Sequence, residues 1–244
     1  MKSHLSYSLI SSSLTRPFAL QLKKLLLPAI FAVLIGAALI GFAASPSKAQ
    51  STAPPARKTS TPYTGDLSIF ESPGREDRLQ INRVMDILKI APGSTVADIG
   101  AGSGWFTVRA AKRVGLQGGV YAVEISPDAI AYIQKRVKKD GLGNVQTILG
   151  KSDDPLLPAG KIDAVLFLKA YHEVAEPVAL LQHLRQSLAP NARVGIIDRN
   201  GNGEDHGVAE KIVVAEAQQA GYKLAERYDF VKDGMDYFLV FEAK

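Results

Sequence analysis

The chain has 244 residues, no cysteine and a formal net charge of +5, which leaves room for one domain or at most two and excludes disulfides, thiolate metal sites and a cysteine nucleophile. The charge does not point to nucleic acid. Lys2, Arg16, Lys23, Lys24 and Lys48 are the basic residues before position 50 and the first acid is Asp66, so removing those five leaves 24 Lys and Arg against 24 Asp and Glu. A body of balanced charge carries no electrostatic footprint for a polyphosphate partner.

Leu25 to Ala44 is a continuous apolar run preceded by Lys23-Lys24, and Ser47-Lys48-Ala49 supplies small residues where a signal peptidase reads. The pattern predicts a signal peptide over residues 1–49, cut between Ala49 and Gln50, and hence an exported protein, periplasmic or secreted. Two other readings stay open. About 20 apolar residues can cross a bilayer, so residues 25–44 also suit an uncleaved anchor in contact with the membrane. The Ser-rich, acid-free lead has the character of an organelle transit sequence. The missing cysteine excludes a bacterial lipoprotein, and basic residues on both sides of the run leave the orientation signal weak. Residues 50–65, rich in Pro, Ser, Thr and Ala, read as a flexible linker, and residues 66–244 as a single domain.

In that domain Ile81, Val84, Met85 and Leu88 fall on one face of a helix predicted over Arg75–Lys89, which Ala91-Pro92-Gly93 ends. A strand over 95–99, a helix over 104–114 and a strand over 119–124 follow. Ser126-Pro127-Asp128 is a helix start, and that helix runs to about Lys139. Strands are predicted at Val145–Leu149 and within Lys161–Leu168, the latter apolar enough to be buried on both faces, as in a parallel sheet. A helix over Glu176–Leu188, a strand over Asn191–Asp198 and a helix around Val208–Ala220 continue the alternation. Tyr222–Phe230 and Met235–Phe241 read as a hairpin around Asp233-Gly234. The expected architecture is α/β, a doubly wound and mostly parallel seven-stranded sheet with a C-terminal antiparallel hairpin.

The chemistry concentrates in Thr95–Phe106 (TVADIGAGSGWF) and in Gly119–Glu124 (GVYAVE). A glycine loop between strand and helix, followed by an acid at the tip of the next strand, is how a doubly wound sheet holds an adenosine ribose. The spacing Gly100-x-Gly102-x-Gly104 is not the G-x-G-x-x-G of dinucleotide binders. The acid Asp98, just ahead of the glycines, would repel a pyrophosphate and suits a ligand bearing an ammonium group. S-adenosylmethionine is such a ligand.

Residues 96–107 (VADIGAGSGWFT) resemble motif I of the class I S-adenosylmethionine-dependent methyltransferases. Val120–Ser126 (VYAVEIS) is similar to the segment bearing the ribose-binding acid. Asn144–Pro158 (NVQTILGKSDDPLLP), Ile162–Leu168 and Leu184–Asp198 (LRQSLAPNARVGIID) continue the resemblance, which covers roughly residues 75–242. It implies that Gly100, Ala101, Gly102, Ser103 and Gly104 line the methionine half of the cofactor and that Asp98 serves its amino group, directly or through water. It implies that Glu124, followed by Ile125, accepts from both ribose hydroxyls. Asp153 is the first candidate for the adenine amino group and Asp154 the second. The chain departs from the family there, with Gly150-Lys151-Ser152 where many relatives carry Gly-Asp-Ala. Lys169, at the tip of its strand, joins the cofactor-binding set.

The strand Ile162–Leu168 runs into Lys169-Ala170-Tyr171-His172-Glu173, and the carboxyl ends of strands border the ligand crevice. His172 is the expected base, since imidazole titrates near neutrality. Glu173 would orient it or bind a cationic acceptor, and Tyr171 would donate a hydrogen bond or face the sulfonium. His206 is a further acceptor contact, His183 reads as a surface residue, and no metal ligand is assigned. The Asp/Asn-Pro-Pro-aromatic motif of nucleic-acid amino methyltransferases is absent. The expected acceptor is therefore a small molecule, covered by residues 62–78 as a partial lid. Two alternatives stand beside the methyltransferase: a nicotinamide-dependent oxidoreductase, and a non-catalytic, exported cofactor-binding module. The first expects a longer glycine spacing and a Tyr-x-x-x-Lys relay that the chain lacks. The second gains weight because the supply of S-adenosylmethionine to an exported domain is uncertain.

Overall fold

The computed structural model describes residues 57–244; the predicted signal or anchor over 1–49 and the first part of the predicted linker lie outside them. Seven strands form one sheet: β1 (Thr95–Ile99), β2 (Gly119–Glu124), β3 (Val145–Leu149), β4 (Ile162–Leu168), β5 (Leu188–Asp198), β6 (Tyr222–Tyr228) and β7 (Tyr237–Ala243). Their order is β3-β2-β1-β4-β5-β7-β6. β1 to β5 pair in parallel, while β7 runs antiparallel to both β5 and β6. The expected fold class is the one observed. The order reverses at β1, with β2 on one side and β4 on the other, which opens a crevice at their carboxyl ends.

The helices are α1 (Arg75–Leu79), α2 (Ile81–Ile87), α3 (Trp105–Val114), α4 (Pro127–Lys139), α5 (Pro177–Ser187) and α6 (Glu210–Gln219). Alternating strand residues feed two apolar layers. Ala164 and Leu166 of β4 pack with Leu79, Val84, Met85 and Leu88 of the first helices and with Phe106, Ala110 and Val114 of α3. Val165 and Phe167 of the same strand pack on the other face with Leu180, Leu181 and Leu184 of α5 and Val213 of α6. Burial of such side chains contributes roughly 1.5–3 kcal/mol each, which makes register the property the sheet defends most strongly. Among the described residues no helix is long and apolar enough to cross a membrane.

Three details differ from the sequence reading. The single helix predicted over 75–89 is two, because Gln80 takes a left-handed conformation (φ 49°) between α1 and α2. The break lets Leu79 and Ile81, on either side of it, both be fully buried. β5 begins at Leu188 rather than Asn191, with a register shift against β4 between Ile162 and Ala164. Residues 57–65, within the predicted linker, lie against the domain: Arg57 donates to the carbonyls of Tyr171 and Val174 at 2.8 and 2.7 Å, and Ser60 is buried.

The Asp233-Gly234 turn carries a second duty. Both residues have positive φ, and the Asp233 carboxylate accepts from Arg75 Nε at 2.9 Å and Arg78 Nε at 2.8 Å. The hairpin connection is thereby tied to α1, at the rim of the crevice.

Candidate active site

A cleft of about 810 Å³ opens at the carboxyl ends of β1, β2 and β4, walled by the glycine loop, Glu124, Lys169, His172, Glu173 and the segment 59–70. It lies within the usual size range of small-molecule pockets, roughly 300–1,000 Å³. Gly100, Gly102 and Gly104 all have positive φ (69°, 55° and 73°), a region that other L-residues enter at a cost. Gly100 is constrained twice, since a Cβ there would come within 2.5 Å of the Ala170 Cβ. The loop must therefore be backbone alone where β1 passes the tip of β4, and α3 starts directly after it.

Glu124 ends β2 with its carboxylate turned back to the glycine loop. Oε1 accepts from the Gly102 N–H at 2.6 Å and Oε2 from the Ile125 N–H at 3.1 Å. Burial raises its pKa, and these N–H donors hold it down. Asp98, on β1, is 1% exposed and accepts from Thr107 Oγ1 at 2.6 Å. Burial pushes its pKa up to about 7; the Thr107 bond opposes this, the Glu124 charge adds to it, and the Arg75 charge opposes it. Arg75 also lines the cleft, its guanidinium 4.7 Å from the Trp105 ring centroid and bonded to Asp233 and the Phe70 carbonyl. The crevice thus holds a buried carboxyl and a buried cation at one end, a pairing suited to the ammonium and carboxylate of an amino acid.

The catalytic candidates divide. His172 is 1% exposed, lines the cleft, and has Nδ1 2.9 Å from both carboxylate oxygens of Asp198, which is itself fully buried. Asp198 also accepts from the His172 backbone N–H at 3.1 Å and from Arg199 N–H at 2.9 Å. A ring that donates Nδ1–H to this carboxylate turns Nε2 away from Asp198. Glu173 Oε1 lies 3.8 Å from that Nε2; burial raises the Glu173 carboxyl to about 7, against the pull of His172 and with the repulsion of Glu124 and Asp198. His206 borders the same space, its ring edge-on to His172 with centroids 5.8 Å apart.

Tyr171 does not reach the cleft. Its ring is fully buried against Phe167, with the hydroxyl donating to Glu216 at 2.9 Å and the Arg57 guanidinium 5.2 Å from the ring. The short 3₁₀ turn Tyr171–Glu173 sends successive side chains in different directions, so His172 faces the cleft and Tyr171 the core. Asp153 and Asp154, the candidates for the adenine amino group, are not among the residues that line the cleft. Asp153 offers its carbonyl to His183 Nδ1 at 2.6 Å, and the Asp154 carboxylate accepts from Leu156 N–H at 2.9 Å. Lys151, Ser152 and Pro155 line the cleft instead, because the loop turns away after Ser152. His183, read as a surface residue, is the partner that holds this turn. Ser103 does border the cleft, but its hydroxyl donates to Glu71 at 2.7 Å. Ala101, Gly102, Ile125 and Lys169 border the cleft, Gly104 is not among its lining residues, and the segment 62–78 supplies Tyr63, Leu67, Ile69 and Phe70.

Sequence reasoning missed Asp198, Arg75 and Ser60. Asp198 carried a usable signal: it closes the apolar run of β5 at a strand tip, the position that made Glu124 conspicuous. Ser60 carried none; its Oγ accepts from His206 N–H at 2.8 Å and donates to the Gly203 carbonyl at 2.7 Å, across 146 and 143 residues of chain.

Fold and site together define a class: a Rossmann-like α/β protein whose switch-point crevice takes a nucleoside cofactor of amino-acid character. Residues 96–191 match the family model of a methyltransferase domain. The chain is 30% identical over 129 residues to nocamycin O-methyltransferase of Saccharothrix syringae, covering 52% of this chain and 46% of that one. It is 29% identical over 154 residues to 2-phytyl-1,4-naphtoquinone methyltransferase of Trichormus variabilis, covering 60% and 66%. A crystal structure of a SAM-dependent methyltransferase from Aquifex aeolicus superposes with a TM-score of 0.65 at 24% identity, covering 73% of this chain and 98% of that one. These findings support the class I S-adenosylmethionine-dependent methyltransferase family for the domain that holds residues 96–191. The match spans less than two thirds of these curated relatives' length. Of the two enzyme readings, the comparisons carry the methyltransferase.

Proposed function

We propose that the protein transfers the methyl group of S-adenosylmethionine to a small-molecule acceptor held beside His172, Glu173 and His206. The observation that carries the reading is that one cleft is bordered both by the glycine loop with Glu124 and by the buried His172–Asp198 pair. The names of the nocamycin and naphtoquinone relatives support a small acceptor, as does the balanced charge of the body.

The residues present fit the cofactor. The glycine backbone leaves space that a side chain at Gly100 would fill, Asp98 and Arg75 match an ammonium and a carboxylate, and Glu124 retains acceptor capacity for ribose hydroxyls beyond its two N–H bonds. When bound, the cofactor supplies an electrophilic methyl on a sulfonium. The protein then has to hold donor and acceptor in line and exclude water. Phe70, Leu67 and Tyr63 cover the cleft for that purpose. His172 Nε2 takes the proton from an acceptor hydroxyl, amine or acidic C–H, and Asp198 holds the ring and stabilises the imidazolium that forms.

Binding is the direct test. At 100 times Kd a ligand stabilises the folded state by about 2.7 kcal/mol, so S-adenosylmethionine is expected to raise the melting temperature of the full chain by roughly 5–10 °C. A shift with NADH and none with S-adenosylmethionine would overturn the reading.

The binding should depend on pH through Asp98. Its folded pKa, about 7, is raised above the unfolded value, so this group stabilises the free protein below the unfolded pKa and that contribution is lost as the pH rises through about 7. An ammonium beside Asp98 favours the carboxylate, so binding in the intervening window releases a proton. Affinity is expected to rise about tenfold from pH 5.5 to 7, measured by calorimetry in buffers of different ionisation enthalpy. The Asp98→Asn protein should lose this dependence, and an unaltered pH profile in that variant would remove Asp98 from the site.

We propose also that the protein is exported. The support is the sequence of residues 1–49 alone. Mass spectrometry of the mature protein should find Gln50 as the amino terminus, and an intact Met1 would argue for an anchor or for no export.

A further inference from the structure

His172, Glu173 and His206 form a cluster that methyl transfer through a single base does not need in full. One ligand atom from each lies within 4.8 Å of the other two. We propose that the three side chains bind a divalent first-row transition-metal ion, with the acceptor taking an open position on it. The place of the acceptor rests on the function proposed above, whereas the metal site itself does not.

Each ligand is prepared for the role. A metal-binding histidine commonly gives its second ring N–H to a carboxylate, which fixes tautomer and orientation. His172 meets that condition: Nδ1 is held by the fully buried Asp198, Nε2 lies 3.8 Å from Glu173 Oε1, and the His206 ring stands edge-on to the His172 ring with centroids 5.8 Å apart. Asp198 is held in turn by two backbone N–H donors. His206 is fixed at its backbone, where φ is 57° and its N–H donates to the buried Ser60. The segment 57–60 thereby has a reason to be docked, since it sets the loop that carries the third ligand.

Metal bonds of about 2.0–2.2 Å to nitrogen and oxygen bring ligand atoms to within about 3 Å of one another. Glu173 and His206 are not fully buried, so rotation of these two side chains toward the fixed His172 closes the gap. Two imidazoles and one carboxylate suit zinc, manganese, iron, cobalt or nickel, whereas magnesium and calcium prefer all-oxygen sets. Three protein ligands leave positions open to the cleft. An acceptor hydroxyl bound there loses its proton more readily, because the ion stabilises the oxyanion. With the metal present, Nε2 is a ligand and takes no proton; the ion lowers the pKa of the bound hydroxyl so that its proton passes to solvent water, and it holds the resulting oxyanion for attack on the methyl.

The experiment uses the untagged full chain, stripped with EDTA and titrated with zinc by calorimetry and with manganese by electron paramagnetic resonance. About one equivalent is expected to bind, with no comparable binding of magnesium. His206→Ala and Glu173→Gln, both at incompletely buried positions, should each weaken binding by at least tenfold, while His183→Ala leaves it unchanged. Asp198→Asn, which acts through His172, should weaken it by about 10–100-fold. Absence of zinc and manganese binding in the wild type, or binding that survives both His206→Ala and Glu173→Gln, overturns the proposal. S-adenosylmethionine binding by the stripped protein, followed in parallel, separates that failure from failure of the methyltransferase reading.

Discussion

Replacing Glu124 by alanine is expected to weaken S-adenosylmethionine binding by about 10²-fold or more. A hydrogen bond to a charged group contributes roughly 1.5–3 kcal/mol, and two ribose hydroxyls on one carboxylate make the loss about 3 kcal/mol or larger, which is a hundredfold in Kd. The same carboxylate holds Gly102 N–H at 2.6 Å and Ile125 N–H at 3.1 Å. The alanine variant therefore loosens the glycine loop as well as the ribose contact. Glu124→Gln separates the two effects, since a neutral carbonyl still accepts from Gly102 but is a weaker partner for hydroxyl donors. Calorimetry on both variants should give an intermediate loss for glutamine. Wild-type affinity in Glu124→Ala would place the sugar elsewhere and dissolve the cofactor assignment.

His172→Gln should lower kcat by about 10²–10⁴-fold, the range over which a positioned base acts, with the Kd for S-adenosylmethionine changed by less than a few-fold. Glutamine is chosen because its amide N–H can still donate to Asp198, whereas alanine leaves a buried carboxylate short of a partner at a cost of roughly 1–3 kcal/mol or more. The split between an intact Kd and a depressed kcat identifies a chemical rather than a binding role, and the melting temperature guards against misfolding. The prediction holds whether Nε2 takes the proton itself or ligates an ion, because glutamine removes both capacities. Unchanged turnover with an identified acceptor would refute it. Asp198→Asn tests the same pair from behind. A carbonyl that must accept the His172 N–H through one oxygen holds the ring less firmly, so kcat should fall while the cofactor Kd stays near the wild-type value.

Much of this molecule can be read from its chain, and the readable parts share a physical cause. Strand and helix periodicity reports burial, and burial in a parallel sheet is decided locally by alternating or continuous apolar residues, as in Ile162–Leu168. The glycine loop and Glu124 are legible because close backbone approach and a strand-tip carboxylate each demand particular residue types at adjacent positions. Tyr171 shows where that logic stops. It stands next to His172 in sequence, yet one turn of 3₁₀ helix points it at Glu216 and the core. Asp153 and Asp154 stay out of the cleft lining for a similar reason, since His183 holds the loop by a backbone carbonyl that no residue pattern announces.

By itself, then, the sequence determined the α/β sheet, the glycine turn after β1, the strand-tip acid Glu124 beside it and the resemblance to a methyltransferase domain. All of these depend on neighbours within a few positions. Only the tertiary structure decided that Asp198 backs His172, that Arg75 lines the same cleft as Asp98, and that Ser60 seats the loop of His206 beside Glu173. Those residues stand 23 to 146 positions apart, where the partner is selected by how strands stack and loops return. Chain order carries no record of such a choice until the sheet has formed.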